Sequence, residues 1–403
     1  MRIGMVLRNF YPHDVRVEKE ARTLSAAGHD VFLLCLGRPD EPATDRFEDV
    51  EIRRIHRERD YGPVQRTVKT ALFVTTLWDR IWDREMTKFV AEEDIDVLHV
   101  HDLPLVKTGL SVAEKYRIPL VADLHENYPE AAAQWREGMA LPRKTIQQTF
   151  TPKSRLKQLE SECVERADHV ITVVEEAREH YLEDCGADPE KLSVVSNTVE
   201  RSRFDDADLA DVGYDDEFVI SYIGSFGPHR GLETAIRAMD DIVAEVPNAR
   251  LLLVGAAGEE EYDQHLRDLA AESDASDNIT FTGWVDLDEV PSYVAASDVP
   301  FVLHTENPHT ATTIPHKLFQ YMAFGNPVVV TDVGPLGRIV EETDSGYVIN
   351  DGDDAAMAEA VVALATNEDQ MERLGENARK AVDGEYNWQN EGETLVDVYE
   401  SFE

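Results

Sequence analysis

Ile220-Ser221-Tyr222-Ile223-Gly224-Ser225-Phe226-Gly227-Pro228-His229-Arg230-Gly231-Leu232-Glu233-Thr234-Ala235-Ile236 runs from an apolar segment through a glycine-rich turn into a helical pattern. A strand that turns at once into a helix is the repeating unit of a parallel α/β sheet. Glycines at such a turn let backbone N–H groups approach an anion, and Arg230 adds a cationic fork. Spacing alone fits a tight βα turn with an exposed arginine equally well. The loop is neither a GxGxxG fingerprint nor a Walker loop, so dinucleotide and P-loop readings lack their motif.

The same alternation extends in both directions. In the first half, strand-like runs fall at 2–7, 30–36, 96–100, 118–123, 169–174 and 192–195, with helical patterns at 15–27, 84–93, 104–116, 152–166 and 175–184. In the second half, runs at 217–223, 250–254, 278–281, 299–303, 327–331 and 346–349 alternate with helices at 231–245, 260–272, 287–296, 316–324 and 353–366. Residues 369–401 read as helix with a break near Asp383-Gly384. Near-continuous apolar runs such as Val31-Phe32-Leu33-Leu34 fit parallel strands covered on both faces. The rhythm stops over 200–216, a polar, acidic stretch that marks a domain boundary. The expected fold class is α/β, with two Rossmann-like, doubly wound domains facing a central cleft. They span 1–199 and 200–385, and a C-terminal helix at 386–403 returns to the first domain. Ligands of such sheets bind beyond the carboxyl ends of the strands.

The 403 residues carry 80 acidic and 39 basic side chains, for a net charge of -41. Such an excess repels itself in dilute salt, and at ~1 M salt a Debye length of about 3 Å screens that repulsion. The composition points to a halophilic protein and away from nucleic acid, whose phosphates need a basic footprint. Cys35, Cys163 and Cys185 lie far apart and show neither disulfide nor zinc spacing. No apolar run reaches the ~18–20 residues of a membrane span, and Met1-Arg2 leads straight into a short strand. A cytoplasmic site of action is expected.

A second element runs Thr312-Thr313-Ile314-Pro315-His316-Lys317-Leu318-Phe319-Gln320-Tyr321-Met322-Ala323-Phe324-Gly325. Thr312 or Thr313 suits a cap, Pro315 a first helical turn and Gly325 the C-terminal end. The helix start offers free N–H groups beside Lys317, and Gln320 follows one turn later. Taken with the first loop, two helix starts and two cations can cradle a diphosphate. Taken alone, the segment is a helix with a polar face. In the first half, His101 and His125 each follow a strand-like run and each stands beside a carboxylate, Asp102 and Glu126.

These elements together resemble the GT-B retaining glycosyltransferases of family 4, in a halophilic, archaeal-type member. The resemblance covers nearly the whole chain. It rests on Asp14-Val15-Arg16-Val17-Glu18-Lys19-Glu20-Ala21, Gly28-His29-Asp30-Val31, Val97-Leu98-His99-Val100-His101-Asp102, Asp123-Leu124-His125-Glu126, Gly224 to Gly231, Phe281-Thr282-Gly283-Trp284-Val285 and His316 to Ala323.

The resemblance implies transfer of a sugar from a nucleotide-diphosphate sugar to a glycan or lipid-linked acceptor, without metal or other cofactor. The first domain would bind acceptor and the second the nucleotide sugar. Gly224, Ser225, Arg230, Lys317 and Leu318 would hold the phosphates. Gln320, Thr312 and Thr313 would face ribose and sugar, and Gly283-Trp284-Val285 the nucleobase. His125 would contact the transferred sugar, with His101, Asp102 and Glu126 beside it. The loop with His13 and Asp14 would border the acceptor, with Arg16 near the phosphates. The chain departs from the pattern at Ser225, where a cation is usual, and at Thr312 and Gln320, where two glutamates are usual. Two alternatives follow: a nucleotide-sugar 2-epimerase, and a catalytically silent nucleotide-binding subunit. Two stretches without acidic residues, 61–78 and 141–158, are candidates for peripheral contact with the inner membrane face.

Overall fold

Strand after strand in the first half is closed to water on both faces, as a parallel sheet between helix layers requires: Val97–His101 and Leu120–Leu124 are buried at every residue. A computed structural model describes residues 1–12, 14–56, 76–136, 141–201, 204 and 207–402. They divide into two units, Met1–Ser196 with Glu391–Glu403, and Asn197–Asn390.

In the first unit the strands are β1 (Arg2–Phe10), β2 (Asp30–Gly37), β3 (Thr44–Phe47), β4 (Val50–His56), β5 (Val97–His101), β6 (Leu120–Leu124), β7 (His169–Thr172) and β8 (Leu192–Val194). They form one sheet in the order β3-β4-β2-β1-β5-β6-β7-β8. All neighbours are parallel except β3 and β4. The helices are α1 (Val15–Ala26), α2 (Arg80–Glu92), α3 (Leu103–Tyr116), α4 (Tyr128–Trp135), α5 (Leu141–Phe150), α6 (Lys153–Arg166) and α7 (Glu175–Glu183). Asp14, Asp79 and Asn127 cap α1, α2 and α4 by accepting a backbone N–H in the first turn. The strand order reverses direction between β1 and β5, which opens a crevice at their carboxyl ends.

The second unit repeats the plan with β9 (Phe218–Ile223), β10 (Ala249–Val254), β11 (Ile279–Gly283), β12 (Val299–Val302), β13 (Val328–Thr331) and β14 (Gly346–Ile349), all parallel, in the order β11-β10-β9-β12-β13-β14. Here the reversal lies between β9 and β12. Helices α8 (Leu232–Glu245), α9 (Glu260–Glu272), α10 (Val290–Ala295), α11 (His316–Ala323), α12 (Pro335–Thr343), α13 (Asp354–Thr366) and α14 (Glu368–Gly384) cover the sheet. Ile220, Leu251, Leu253, Ile236, Met239, Met357 and Val361 form the centre of its core. The last helix, α15 (Trp388–Glu400), carries the chain back into the first unit at Glu391.

The structure adds elements the sequence pattern did not show. β3 and β4 form an edge hairpin closed by Glu48 (φ 52) and Asp49. Their charges hid it: Arg54 is buried in β4, paired with Asp45 and Glu41. Helices α4, α5 and α12 are added too, each of only eight to ten residues. The start of α11 corrects a second expectation. Pro315 is extended (ψ 139) and precedes the helix, which begins at His316 without a side-chain cap. The Thr312 hydroxyl instead donates to Pro308 O and His309 O within a 3-10 turn.

Helices α11 and α14 meet through glycines, since a Cβ on Gly375 would stand 2.1 Å from Gly325 O. Gly375→Ala should therefore cost about 2–3 kcal/mol, read as a lowered urea midpoint at unchanged slope.

Candidate active site

In the first unit the alternation of side chains along β5 and β6 turns His99 and His101, and Asp123 opposite His101, toward one face. Helix α1 lays Arg16 and Glu20, one turn apart, over that face. Asp123 is fully buried. The Arg16 guanidinium binds it through two nitrogens at 2.8 and 3.1 Å, and also reaches Glu20 at 2.9 Å and Val195 O at 2.8 Å. His125 Nε2–H donates to Asp123 Oδ2 at 2.6 Å, and His101 Nδ1 lies 3.1 Å from the same oxygen. Behind them His99, buried, hydrogen-bonds the Tyr399 hydroxyl of α15.

Charge sorts these groups. Burial pushes the Asp123 carboxyl up, but Arg16, His125 and His101 outweigh it and hold it well below the ordinary range. Burial favours neutral His125, yet Asp123 and then Asp102 overcome it and raise the imidazole to about 10. His101 goes the other way, to about 3, through burial and its neighbour His99. Burial, then Asp123, raises Glu20. Burial and then Asp102 lift Glu126 to about 7. Asp102 holds φ 64 and ψ 142, a conformation costly for a residue with a Cβ. Its backbone N–H donates to Asp123 O at 2.9 Å, and its carboxylate lies 3.4 Å from His125 Nδ1. His125 is thus a charged imidazole between two carboxylates.

Several expectations are relocated. Arg16 is not a cation held out to a phosphate: only 3 % exposed, it is committed to Asp123 and Glu20. His101 does not reach the surface; it backs His125, 3.3 Å away. Asp14 caps α1. His13 and residues 61–75 lie outside the described residues. Within 141–158, Lys153 and Lys157 pair with Glu130, outside the basic stretch, while Phe150 is exposed. Among the described residues no helix is long and apolar enough to cross a membrane. Glu20, His99, His101 and Asp123 present ligand-type atoms within 4.8 Å of one another, but the Arg16 guanidinium already supplies the cation there.

In the second unit the glycine loop follows β9 and His304 follows β12, on either side of the strand reversal. Gly224 N donates to Val254 O, a Cβ on Gly255 would clash with Gly224 O, and Gly255 bridges to Gly283. The ends of β9, β10 and β11 therefore abut, and Trp284 stands exposed after Gly283, with Val285 half-buried. Lys317 enters from α11. Its Nζ lies 3.5 Å above the Tyr222 ring and so near Gly224 that a Cβ there would come within 2.9 Å. Gly231 (φ 65) packs so tightly that a Cβ would meet Leu303 O at 2.0 Å. Arg230 donates to His304 Nε2 at 2.7 Å.

The two cationic elements read from the sequence are brought together, and histidines the sequence did not single out join them. The rings of His229 and His304 are 6.3 Å apart, and those of His229 and His309 6.4 Å. Burial and then Arg230 push Lys317 well below its ordinary range, and do the same to His304. His229 falls to about 3 for the same reasons. The charged groups bearing on all three are themselves basic. Ser225 is exposed and Gln320 and Thr313 are half-buried, whereas Leu318 is buried and its N–H makes a long 3.3 Å bond to Pro315 O.

Because His125 is raised above the ordinary 6.5, its charged form adds stability that is complete below about 6.5 and fades as pH rises through about 10. An NMR titration should find the imidazole protonated at neutral pH, and Asp123→Asn should lower its midpoint by more than about 1 unit. An unchanged midpoint in that variant would contradict the arrangement.

Comparison with known proteins agrees with this geometry. The profile described as Glycosyltransferase Family 4 matches residues 14–203, and that described as Glycosyl transferases group 1 matches residues 207–381. The phosphatidyl-myo-inositol mannosyltransferase of Mycolicibacterium smegmatis is 25% identical over 416 residues, covering 100% of this chain and 94% of its own. Sucrose-phosphate synthase of Thermosynechococcus elongatus superposes with a TM-score of 0.78 at 20% identity, covering 100% of this chain and 98% of that one. HepE of Anabaena, solved with UDP-glucose, superposes with a TM-score of 0.74 at 15% identity over 100% of both chains. With one profile on each of two doubly wound sheets, and whole-chain superposition on solved relatives, the chain belongs to the GT-B glycosyltransferases of group 1 and family 4.

Proposed function

We propose that this enzyme is a retaining glycosyltransferase that takes a sugar from a nucleotide-diphosphate sugar and passes it to a glycan or lipid-linked glycan, without a metal. One observation carries the reading: Arg230, Lys317, His229 and His304 gather at the strand reversal of the second unit, and the charges that shift Lys317, His229 and His304 are basic, in a chain of net charge -41. A diphosphate supplies the anion such a cluster lacks. Homologous HepE is solved with UDP-glucose, which supports a nucleotide donor for this chain.

In the proposed reaction the bond between the anomeric carbon and the diphosphate oxygen breaks. The acceptor oxygen bonds to the same face of that carbon, and its proton passes to the departing phosphate oxygen. Negative charge grows on the leaving group, where Lys317, Arg230 and the loop N–H groups stabilise it without reorganising. Gln320 hydrogen-bonds a hydroxyl of the donor, and Trp284 offers an exposed ring to the base. In the first unit His125, held charged, donates to substrate oxygens rather than accepting a proton. Glu126, lifted to about 7, is the carboxyl suited to trade one. The acidic surface fits concentrated salt.

Calorimetry with a panel of nucleoside diphosphates should show uptake of at least one, and Arg230→Ala should weaken it by about 10–100-fold. Incubation with nucleotide sugars and acceptor should release free nucleotide and a glycosylated product. An altered sugar still joined to its nucleotide would instead establish epimerisation, and neither product the silent reading. The unfolding midpoint should rise between dilute buffer and about 1 M KCl; a flat or falling midpoint would refute salt adaptation.

A further inference from the structure

Three ligand-type side chains converge in the first unit at a place the transfer chemistry does not use. Glu160 on α6 is buried, His180 lies on α7, and Cys185 follows the end of α7. His180 Nε2 is 3.3 Å from Glu160 Oε2, Cys185 Sγ is 3.8 Å from the same oxygen, and Sγ and Nε2 are 4.0 Å apart. Zinc bonds of about 2.0–2.3 Å in a tetrahedron set ligand–ligand edges of roughly 3.3–3.6 Å. The three atoms already stand close to one face of that figure.

We infer that Glu160, His180 and Cys185 form a zinc site, with solvent as the fourth ligand. The chemistry of the donor set points to zinc. A thiolate selects a borderline-soft ion over magnesium or calcium, and imidazole suits it. Thiolate and carboxylate together balance a 2+ ion, with His180 bound as the neutral ring. Cys185 loses its thiol proton and His180 its Nε2 proton on binding, so uptake releases both. The second ring nitrogen of His180 is oriented as zinc ligands usually are: Nδ1–H donates to Asp184 Oδ2 at 2.9 Å. With Nδ1–H so engaged, the Nε2 edge faces the other two ligands. Asn127 Nδ2 also approaches Nε2, at 3.4 Å, while its Oδ1 accepts from Glu130 N in capping α4.

The sequence showed no zinc spacing because the ligands come from two helices that only the fold brings together. The placement gives the ion a structural task. Asn127 follows His125 and Glu126 directly, and the Tyr181 hydroxyl, next to His180, donates to Glu126 O at 3.4 Å. A bound ion ties α6 and the end of α7 behind the loop that presents those two residues.

The test uses the full chain, stripped with a chelator and reloaded with zinc or cobalt. Elemental analysis should find about one zinc per chain. The cobalt form should show a thiolate-to-cobalt charge-transfer band, and the unfolding midpoint should rise with free zinc. Cys185→Ser should abolish the band. Asp184→Asn, at an exposed position, should leave the fold intact and weaken zinc binding by about tenfold. A wild-type chain that takes up neither zinc nor cobalt, or binding as tight in both variants as in wild type, overturns the site.

Discussion

Asp123 sits where no water reaches, and a carboxylate there stays ionised only because cations stand on it from two directions. Arg16 grips both its oxygens from α1, and His125 donates from the loop after β6. Each partner is shaped by the pair. Arg16 loses its access to solvent, and His125 keeps its proton far above neutrality. Neutral His101 and His99 fill the remaining space, and Tyr399 closes the cluster from the last helix. The returning helix is thereby joined to the centre of the first sheet by a polar contact between two buried groups. Removing Asp123 would leave the buried Arg16 and the half-buried His125 without the carboxylate they share, so this residue organises the helix, the loop and the chain terminus together.

The second unit poses the opposite electrostatic problem. At its strand reversal the charges that shift His304, His229 and Lys317 are basic. Burial and the neighbouring cations discharge His229 and His304 and press on Lys317, which is seated on the face of the Tyr222 ring. Gly224 makes room for that ammonium, and Gly231 lets the chain turn against Leu303. The first unit sets Asp123 against Arg16 and His125; in the second, Arg230 meets His304 and Lys317 meets an aromatic ring.

How much of this was legible beforehand depended on periodicity. The parallel strands announce themselves because burial on both faces demands unbroken apolar runs, and the glycine loop and α11 were visible as interruptions with a cation beside each. The β3–β4 hairpin was not, because Arg54 and its acidic partners give an inward residue an outward composition. His101 and His125 stand out as strand-end histidines, but their difference does not: one is neutral and sealed, while the other is reachable and kept charged by Asp123 and Asp102. Asp123 carries two signals in the sequence. His99 and His101 are two apart on one strand, as Asp123 and His125 are on the next, and a period of two puts each pair on one face. Arg16 and Glu20, one helical turn apart, gave the covering layer. His304 carried no local signal, since its meaning comes from the position of β12 beside β9.

The use of arginine at buried carboxylates follows from the same constraints. Where a cation must sit buried against a carboxylate, as Arg16 and Arg54 do, a planar guanidinium that stays charged and grips two oxygens is suited to the place. Lysine would surrender its proton or leave one oxygen unpaired. Lys317 answers a different need. Its compact ammonium lies over the Tyr222 ring and close to Gly224. Burial and Arg230 both weigh against its charge, whereas Asp123 and Glu20 favour the charge of Arg16. The choice of residue at that one position thus separates a cation paired with carboxylates from one seated on an aromatic face.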